Sequence, residues 1–346
     1  IQYDVTPAEL LIKIVYRIQE QGGIPRRRYA IAALSNHPPS IVPKQKERLK
    51  LLDIDPLELA RQLTLLESKQ YNSIKTIECL ARARDELVEN DSIQSIITTT
   101  NKIASWVAFS VLEKDEPRRR GYVIRHFIRV AEVCGVLHLA GYANSCCLAF
   151  LGFVLLLFSL LLSFWNRRHS RPGHQKCRAL HNYSSMAALV AGLNSPPIRR
   201  LKRTWDLVPA KLTAILDDLE ATLDSGRNFT VYKQKLKATD SPCVPIFGVY
   251  LMMLALIQEG YKDFIDEERG IINFRKHQKI AVVIREIQRY QDKQYNLLVV
   301  DQVQMFIERS LAGIEEKTDY WETSMVLESQ KPENMMTRLL QRSGFL

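Results

Sequence analysis

The chain has 346 residues and a net charge of +10, and 46% of its residues are hydrophobic and 25% charged. This composition is typical of a globular protein with a buried core, and it excludes a collagen-like, a wholly disordered or a polytopic membrane protein. The basic excess is compatible with nucleic acid, anionic lipid or an acidic protein surface as a partner, and it selects none of them. The six cysteines have no CxxC pair and no zinc-ligand spacing, which predicts free thiols in a reducing compartment.

Residues 1–50 contain a short amphipathic stretch, Ala8–Gln19, and then a basic segment with several prolines. From Leu51 onwards the apolar residues follow the period of an α-helix. Asp55 before Pro56 predicts an N-cap and a first helical residue. Apolar stripes at helical spacing then recur: Leu57, Leu59, Leu63 and Leu66; Ile103, Val107 and Val111; Ile124, Phe127, Ile128 and Ala131; Leu212, Ile215, Leu216, Leu219 and Leu223; Ile280, Val283, Ile284 and Ile287.

The sequence contains neither sustained alternation of apolar and polar residues nor an Asn-Gly or Asp-Gly hairpin signal. We therefore predict an all-α fold. Polar segments at 115–120, 194–197, 225–228 and 261–270 are predicted as loops between the helices. The helical pattern weakens after Leu311, and we expect residues 313–346 to form a C-terminal tail.

One segment does not fit this pattern. Cys146–Trp165 is a run of twenty residues without a charge, and at ~1.5 Å per residue it has the length to cross a bilayer. The arginines that follow it would be placed in the cytoplasm by the positive-inside rule. However, amphipathic helical sequence lies on both sides of the run, and no second apolar run brings the chain back. We therefore expect no true transmembrane span at 146–165.

A deletion makes the sequence regular again. Without residues 135–177, Val130–Cys134 joins a segment that starts at Arg178, continues the helix and leads into Ser184 and Ser185 as a cap for the next one. The deleted residues include four basic and no acidic side chains, so the net charge falls from +10 to +6. We interpret residues 135–177 as a translated intron or another gene-model error. An inserted loop and a membrane anchor are the alternatives.

With this insert set aside, five stretches in one order resemble the catalytic domain of Ras-type guanine-nucleotide exchange factors, the family of Son of sevenless and the fungal Ras activators. They are Asp55–Tyr71; Trp106–Ala108 with Phe127–Cys134; Asn182–Trp205; Pro242–Leu251; and Ile272–Lys276 with Tyr290–Leu297. Together they span about two thirds of the chain. Thr6–Leu11 is similar to the end of the helical module that often precedes this domain. We expect residues 1–50 to hold a truncated remnant of that module and a linker.

The resemblance implies that residues 51–134 and 178–312 form a single large helical domain with a protruding helical hairpin. It implies a protein that promotes GDP release from a Ras-family small GTPase by opening the switch region and disturbing the phosphate and Mg²⁺ site. Such a protein is not an enzyme in the covalent sense, and it needs no cofactor and no metal of its own. The implied partner is the GDP-bound or nucleotide-free GTPase, which would recruit a cytoplasmic protein to the inner face of the plasma membrane. No nucleic acid partner is implied.

In this family the first helix of the hairpin follows a Pro-Cys-Val-Pro turn, and here it would run from Phe247 to Glu259. By position, Ala255 and Leu256 match family side chains that crowd the Mg²⁺ and phosphate region of the GTPase. Glu259 matches the acidic residue that engages the phosphate-binding loop of the nucleotide-free GTPase. These roles are what the resemblance implies for the catalytic part of the site.

Four further residues are implied to bind the GTPase. Met252 and Met253 stand where family members often carry a short polar pair for a switch contact. Asn194 matches a residue that contacts the switch, and Asn72 lies near a position where some members carry Arg. Each feature has a simpler structural interpretation as well: a hairpin helix that is apolar all round and buried, and an Asn194 that makes a turn or a cap.

Other conspicuous residues are expected to be structural. Trp106 and Trp205 are predicted as core residues. Arg118–Arg120 is predicted as solvated loop charge, with contact to an acidic GTPase surface or to lipid as the alternative.

Other classes of function lack the necessary residues. The seven histidines form no HExxH or other paired-ligand spacing, and there is no GxxxxGK[ST] loop, so the chain does not resemble a metalloenzyme or the GTPase itself. A basic helical nucleic-acid-binding protein is one alternative, although basic and acidic residues are mixed in most helices. A catalytically weakened protein of the same fold that still docks a GTPase is the other. The departure at Met252 and Met253 motivates it.

Overall fold

The computed structural model describes residues 38–43, 49–82, 84, 91–135, 180–239, 242–291, 293–314 and 320–329. Within them the chain forms thirteen α-helices, a 3-10 helix at Leu51–Asp53 and a two-stranded ribbon. The helices are α1 Pro56–Ser73, α2 Thr76–Arg82, α3 Ser92–Leu112, α4 Pro117–Cys134, α5 Tyr183–Asn194, α6 Pro196–Arg199, α7 Lys202–Trp205, α8 Ala210–Thr222, α9 Thr230–Lys237, α10 Phe247–Gly260, α11 Phe274–Arg289, α12 Asp301–Ala312 and α13 Trp321–Leu327. The strands are β1 Phe264–Asp266 and β2 Ile271–Ile272. The all-α prediction is confirmed, with a small ribbon whose first strand lies inside the predicted loop 261–270 and whose second strand directly follows it.

Polar side chains fix where the helices begin. The side chain of Asp55 accepts a hydrogen bond from Leu57 N at 2.8 Å, and a proline is the first residue of α1, as predicted. At α5 the predicted cap is wrong, because the side chain of Asn182 accepts from Ser185 N at 3.0 Å. Ser184 and Ser185 themselves lie inside the helix. Their hydroxyls donate instead to a buried carboxylate on α1, that of Glu67.

The core lies where α3 packs against α5 and α1 packs against α4. The predicted stripes of α3 and α4 are fully buried there: Ile103, Val107, Val111, Ile124, Phe127, Ile128 and Ala131. The axes of α3 and α5 come close together at Gly192. A Cβ atom at this position would lie 2.5 Å from Ala104 O and 2.7 Å from the Cβ of Val107. Trp106 is buried in this core, as predicted, and Trp205 packs against it while half-buried.

The described segments on either side of the insert meet at this core. Helix α4 ends at Cys134, and the structure describes the chain up to Gly135 and again from Leu180. Leu180 N donates to Val133 O at 3.2 Å, and Asn182 N donates to Cys134 O at 2.9 Å. Without residues 135–177 these pairs would be four and five residues apart, which are the separations that close a helix ending in a left-handed residue. His181, with φ 51°, is that residue.

The apolar run at 146–165 and the prediction made for it lie outside the described residues. Among the helices that the structure does describe, none combines the length and the apolar character needed to cross a bilayer.

The prediction of a loop with solvated arginines at 115–120 is wrong at its C-terminal end. Helix α4 already begins at Pro117, and Arg120 is fully buried, whereas Arg118 and Arg119 are exposed. A guanidinium nitrogen of Arg120 lies 3.0 Å from a carboxylate oxygen of Glu328. The other guanidinium nitrogens donate to the Thr204 hydroxyl at 2.9 Å and to two main-chain carbonyls of the preceding loop.

Part of the predicted C-terminal tail belongs to the packed domain. Helix α13 contacts α3 and α6, and the side chain of Glu328 just after it is buried. Besides Arg120, this carboxylate accepts from the Thr204 hydroxyl at 2.7 Å and from Arg203 N at 3.0 Å. Arg120 and Glu328 thus form a buried ion pair, and residues 320–329 pack onto the domain rather than extend from it.

Helices α10 and α11 form the predicted helical hairpin. They pack against each other, and their other main helix contacts are with α2 and α3. At the base of the hairpin the Tyr71 hydroxyl donates to Ile287 O at 3.1 Å, and the Tyr71 ring packs edge-on against Phe247 with centroids 6.3 Å apart. The turn before α10 is fixed to the core because Val244 N donates to His181 O at 3.0 Å.

Candidate functional site

Helix α10 is apolar along most of its length, but its buried residues end at Leu254. Phe247, Val249, Tyr250 and Leu254 are buried against the core. In the following turn Ala255 and Leu256 are exposed, and 58% of the Leu256 surface is accessible. The simpler interpretation of this helix as a wholly buried element is therefore wrong for its last turn.

Glu259 stands one turn beyond Ala255 and is exposed. Residues four apart lie on the same face of a helix, so Ala255 and Glu259 form one surface with Leu256 beside them. A carboxylate near the C-terminus of a helix lies at the negative end of the helix dipole, where it does not stabilise the helix. The structure therefore brings the three residues of the predicted catalytic set together on an exposed turn.

The predicted binding residues lie at different depths. Met252 and Met253 are half-buried, and both pack against the core cluster with part of each side chain accessible. Asn72 is exposed in the last turn of α1, next to the residue that holds the base of the hairpin. Met252 and Met253 therefore lie on the hairpin, and Asn72 lies beside it.

Asn194 is further away. It is the last residue of α5, whose first turn is bonded to the segment that precedes α10. A helix of twelve residues is ~18 Å long, so Asn194 lies at the far end of α5 from the hairpin base. Its side-chain oxygen is buried and has no hydrogen-bond partner among the described residues. The C-terminal cap of α5 is made instead by Ser195 N, which donates to Gly192 O.

The ribbon between α10 and α11 contains a contact that the sequence did not indicate. Lys276 is 1% exposed, and its Nζ lies 2.7 Å from Oδ1 of Asp263. Asn273 N donates to Asp263 O at 2.8 Å, and the Asn273 side chain donates to Lys262 O at 2.9 Å. Asp263 and Lys276 are thirteen residues apart, a spacing at which side chains of a single helix do not touch. The two side chains meet because the ribbon folds the chain back between α10 and α11.

Exposed apolar side chains also mark the far end of the hairpin. Ile265 is 73% exposed and Phe274 is 72% exposed, in addition to Leu256. Several exposed large apolar side chains at one end of a helical hairpin are typical of a surface that binds another protein. Within the described residues no group of side chains could hold a metal ion. The fold and this surface are those of a helical protein-binding domain.

Comparison with known proteins identifies the family. The RasGEF domain model matches residues 58–144 and 174–278, more than half of the chain, and its two matched parts are separated inside the insert. The chain belongs to the RasGEF domain family. It is 33% identical over 264 residues to Cell division control protein 25 of Candida albicans. The aligned region covers 75% of this chain and 17% of that relative.

Two further relatives are similar in extent. Cell division control protein 25 of Saccharomyces cerevisiae is 33% identical over 287 residues, covering 82% of this chain and 15% of the relative. Ras guanine nucleotide exchange factor Y of Dictyostelium discoideum is 29% identical over 295 residues, covering 84% of this chain and 16% of the relative. The chain thus spans about a sixth of the length of each of these three curated relatives.

Proposed function

We propose that the chain is a guanine-nucleotide exchange factor that promotes GDP release from a Ras-family small GTPase. The observation that carries the proposal is the exposed last turn of α10, where Ala255, Leu256 and Glu259 stand together on a projecting hairpin. Membership of the RasGEF domain family and the similarity to a Dictyostelium protein named as a Ras guanine nucleotide exchange factor support the same function.

The proposed mechanism makes and breaks no covalent bond. An exchange factor accelerates release by binding the switch-open, nucleotide-free GTPase more tightly than the GDP-bound form. Leu256 and Ala255 would act as an apolar wedge against the switch and the Mg²⁺ site, and the Glu259 carboxylate would engage the phosphate-binding loop. Each tenfold acceleration requires ~1.4 kcal/mol of preferential binding in the transition state.

The remaining contacts are proposed from position. Met252 and Met253 would meet the switch with their accessible atoms, and Asn72 would meet it from beside the hairpin base. The side-chain oxygen of Asn194 is buried and has no hydrogen-bond partner among the described residues, so Asn194 would reach the switch only after its side chain turns outward. The partner would be the GDP-bound or nucleotide-free GTPase. It would recruit this chain from the cytoplasm to the inner face of the plasma membrane.

The test follows release of a fluorescent GDP analogue from Ras, Rap and Ral proteins in the presence of the full chain and of a variant lacking residues 135–177. We expect acceleration of release from at least one GTPase. We expect Glu259→Ala to lose most of it, a fall of about tenfold or more, because the substitution removes a contact made in the transition state.

The matched control is Glu308→Ala, which removes an exposed helical glutamate from α12, outside the hairpin. It should leave the acceleration within about twofold of the unmodified chain, because it removes no contact with the GTPase. Full activity in Glu259→Ala would contradict the proposed mechanism.

A second candidate function is docking without exchange. The observation that favours it is the packing of Met252 and Met253 against the core, which reduces what these side chains present to a switch. In that case the chain would bind a nucleotide-free GTPase in a pull-down and would not accelerate GDP release from any of the three GTPases. Acceleration of release rejects the docking-only function.

A further inference from the structure

The connection between α10 and α11 is short and depends on a few specific bonds. β1 and β2 pair over two to three residues, and a ribbon of this length has little stability by itself. Its base is closed by Asn273, whose backbone and side chain donate to Asp263 O and Lys262 O, and by the ion pair of Lys276 with Asp263. These bonds determine how the chain leaves α10 and enters α11.

Lys276 is an unfavourable residue for its own helix. It is the third residue of α11, where a positive charge faces the positive end of the helix dipole. Only 2% of its side chain is exposed, whereas 57% of the Asp263 side chain is exposed. Removing the ammonium group from water costs free energy. Its carboxylate partner is exposed to solvent, so the attraction between the two charges is screened and contributes little net stability. What this ion pair does provide is a fixed geometry between residue 263 and α11.

The last turn of α10 needs such a constraint. The buried residues of this helix end at Leu254, and Ala255, Leu256, Glu259 and Gly260 are exposed. Ile257 is the apolar residue beyond Leu254 that still packs partly against the core, so core packing holds the end of the helix less firmly than its first half. Asp263 follows Glu259 by four residues, so the point at which Lys276 fixes the chain lies directly after the exposed turn.

We propose that Lys276 is a positioning residue for Glu259: through its ion pair with Asp263 it holds the last turn of α10 in the orientation in which the carboxylate meets the GTPase. This inference rests on the proposed exchange function. Lys276 does not touch the GTPase in this proposal, and its effect on exchange passes entirely through the orientation of the turn.

The kinetic test is a double-mutant cycle in the full chain. Lys276→Met should lower the maximal exchange rate about tenfold and leave the GTPase concentration for half-maximal rate within about twofold. In a Glu259→Ala background the same substitution should change the rate by less than about twofold, because the residue it positions is absent. Lys276→Arg, which retains a cation for Asp263, should recover most of the rate. Equal losses in both backgrounds would overturn the proposal.

A second measurement does not depend on activity. Hydrogen–deuterium exchange of the free chain should show faster exchange at residues 255–263 in Lys276→Met, with α3 and α4 unchanged. The matched control is Arg269→Met, which removes the exposed ion pair of Arg269 with Asp266 from the same ribbon and should leave the exchange at 255–263 unaltered. Unchanged exchange in Lys276→Met would also overturn the proposal. If no GTPase responds to the unmodified chain, the exchange function fails, and this measurement still decides whether Lys276 orders the turn.

Discussion

Arg120 is the residue whose environment differs most from what its neighbours suggest. Its guanidinium is fully buried and bonded to Glu328, Thr204 and two backbone carbonyls, so its donors have partners from three separate parts of the chain. A buried charge with such partners adds little net stability but fixes the geometry of the segments it joins. Loss of one partner strongly lowers the free energy of unfolding, because the other charge stays buried without compensation.

Arg120→Met should therefore lower the free energy of unfolding by about 3–5 kcal/mol, because it leaves the Glu328 carboxylate buried without its cation. The measurement is urea denaturation followed by circular dichroism. Arg119→Met is the matched control, since the Arg119 pair with Glu116 is exposed and should contribute less than about 1 kcal/mol.

A double variant tests the same interpretation. Arg120→Met combined with Glu328→Leu removes both charges and should be more stable than Arg120→Met alone. A double variant as unstable as the sum of the two single changes would show that the pair has no special role.

At this scale the sequence predicts position better than environment. The resemblance located Ala255, Leu256 and Glu259, and the structure brings them to one exposed turn. It could not separate Arg120 from Arg119, because the partner that buries Arg120 is 208 residues away. For the same reason the ion pair of Lys276 could not be read from the sequence.

Among the elements, the crossing of α3 and α5 depends most strongly on one residue. Gly192→Ala would place a Cβ 2.5 Å from the Ala104 carbonyl oxygen, a backbone atom that cannot move aside cheaply. We expect this substitution to lower the free energy of unfolding by about 1–3 kcal/mol, the usual range for overpacking a core. Thermal and urea denaturation measure the change.

Gly248→Ala is the matched control for this substitution. A Cβ at Gly248 would meet no atom within 4 Å, and the residue lies in helix α10. Because alanine is a better helix former than glycine, the variant should be as stable as the unmodified chain or more stable by up to about 1 kcal/mol. A destabilised Gly248→Ala would mean that glycine itself, and not the helix crossing, accounts for the Gly192 result.

The helices were predictable to the extent that one face is apolar and the other polar. The stripes of α3, α4 and α11 satisfy this condition, and they are buried as predicted. Helix α10 does not, since its apolar residues surround the axis, and which half is exposed follows from its position on a hairpin. The ribbon is too short for an alternating pattern, and α13 lies where the periodicity had faded.

For the whole molecule, the central question is how an insert of 43 residues fits into a packed domain. We propose that residues 51–134 and 178–312, together with α13 and Glu328, which pack onto them, form one exchange domain and that residues 135–177 are not needed for its fold. The hydrogen bonds from Leu180 to Val133 and from Asn182 to Cys134 already have the spacing of a helix ending across a shortened chain.

A variant lacking residues 135–177 should therefore unfold cooperatively, with a Tm within about 4 °C of the full chain or above it. A variant lacking residues 135–178 is the matched control. It moves Leu180 out of register with Val133 and should be less stable by at least about 1 kcal/mol, because the helix ending can no longer close. Aggregation of the first variant, or equal stability of the two, would contradict the proposal.

The contact between Arg120 and Glu328 also has a consequence for the time course of synthesis. Translation proceeds at about 5–20 residues per second, and domains begin to fold as they emerge. Since 208 residues separate the two side chains, Arg120 is made roughly 10–40 seconds before the carboxylate that neutralises it. During that interval the nascent chain carries the Arg120 cation, whose position is shielded from water in the folded domain, before its carboxylate partner has been made. The last step in completing the domain is therefore set by the ribosome's arrival at α13, and a chain stalled before it would be a substrate for chaperones.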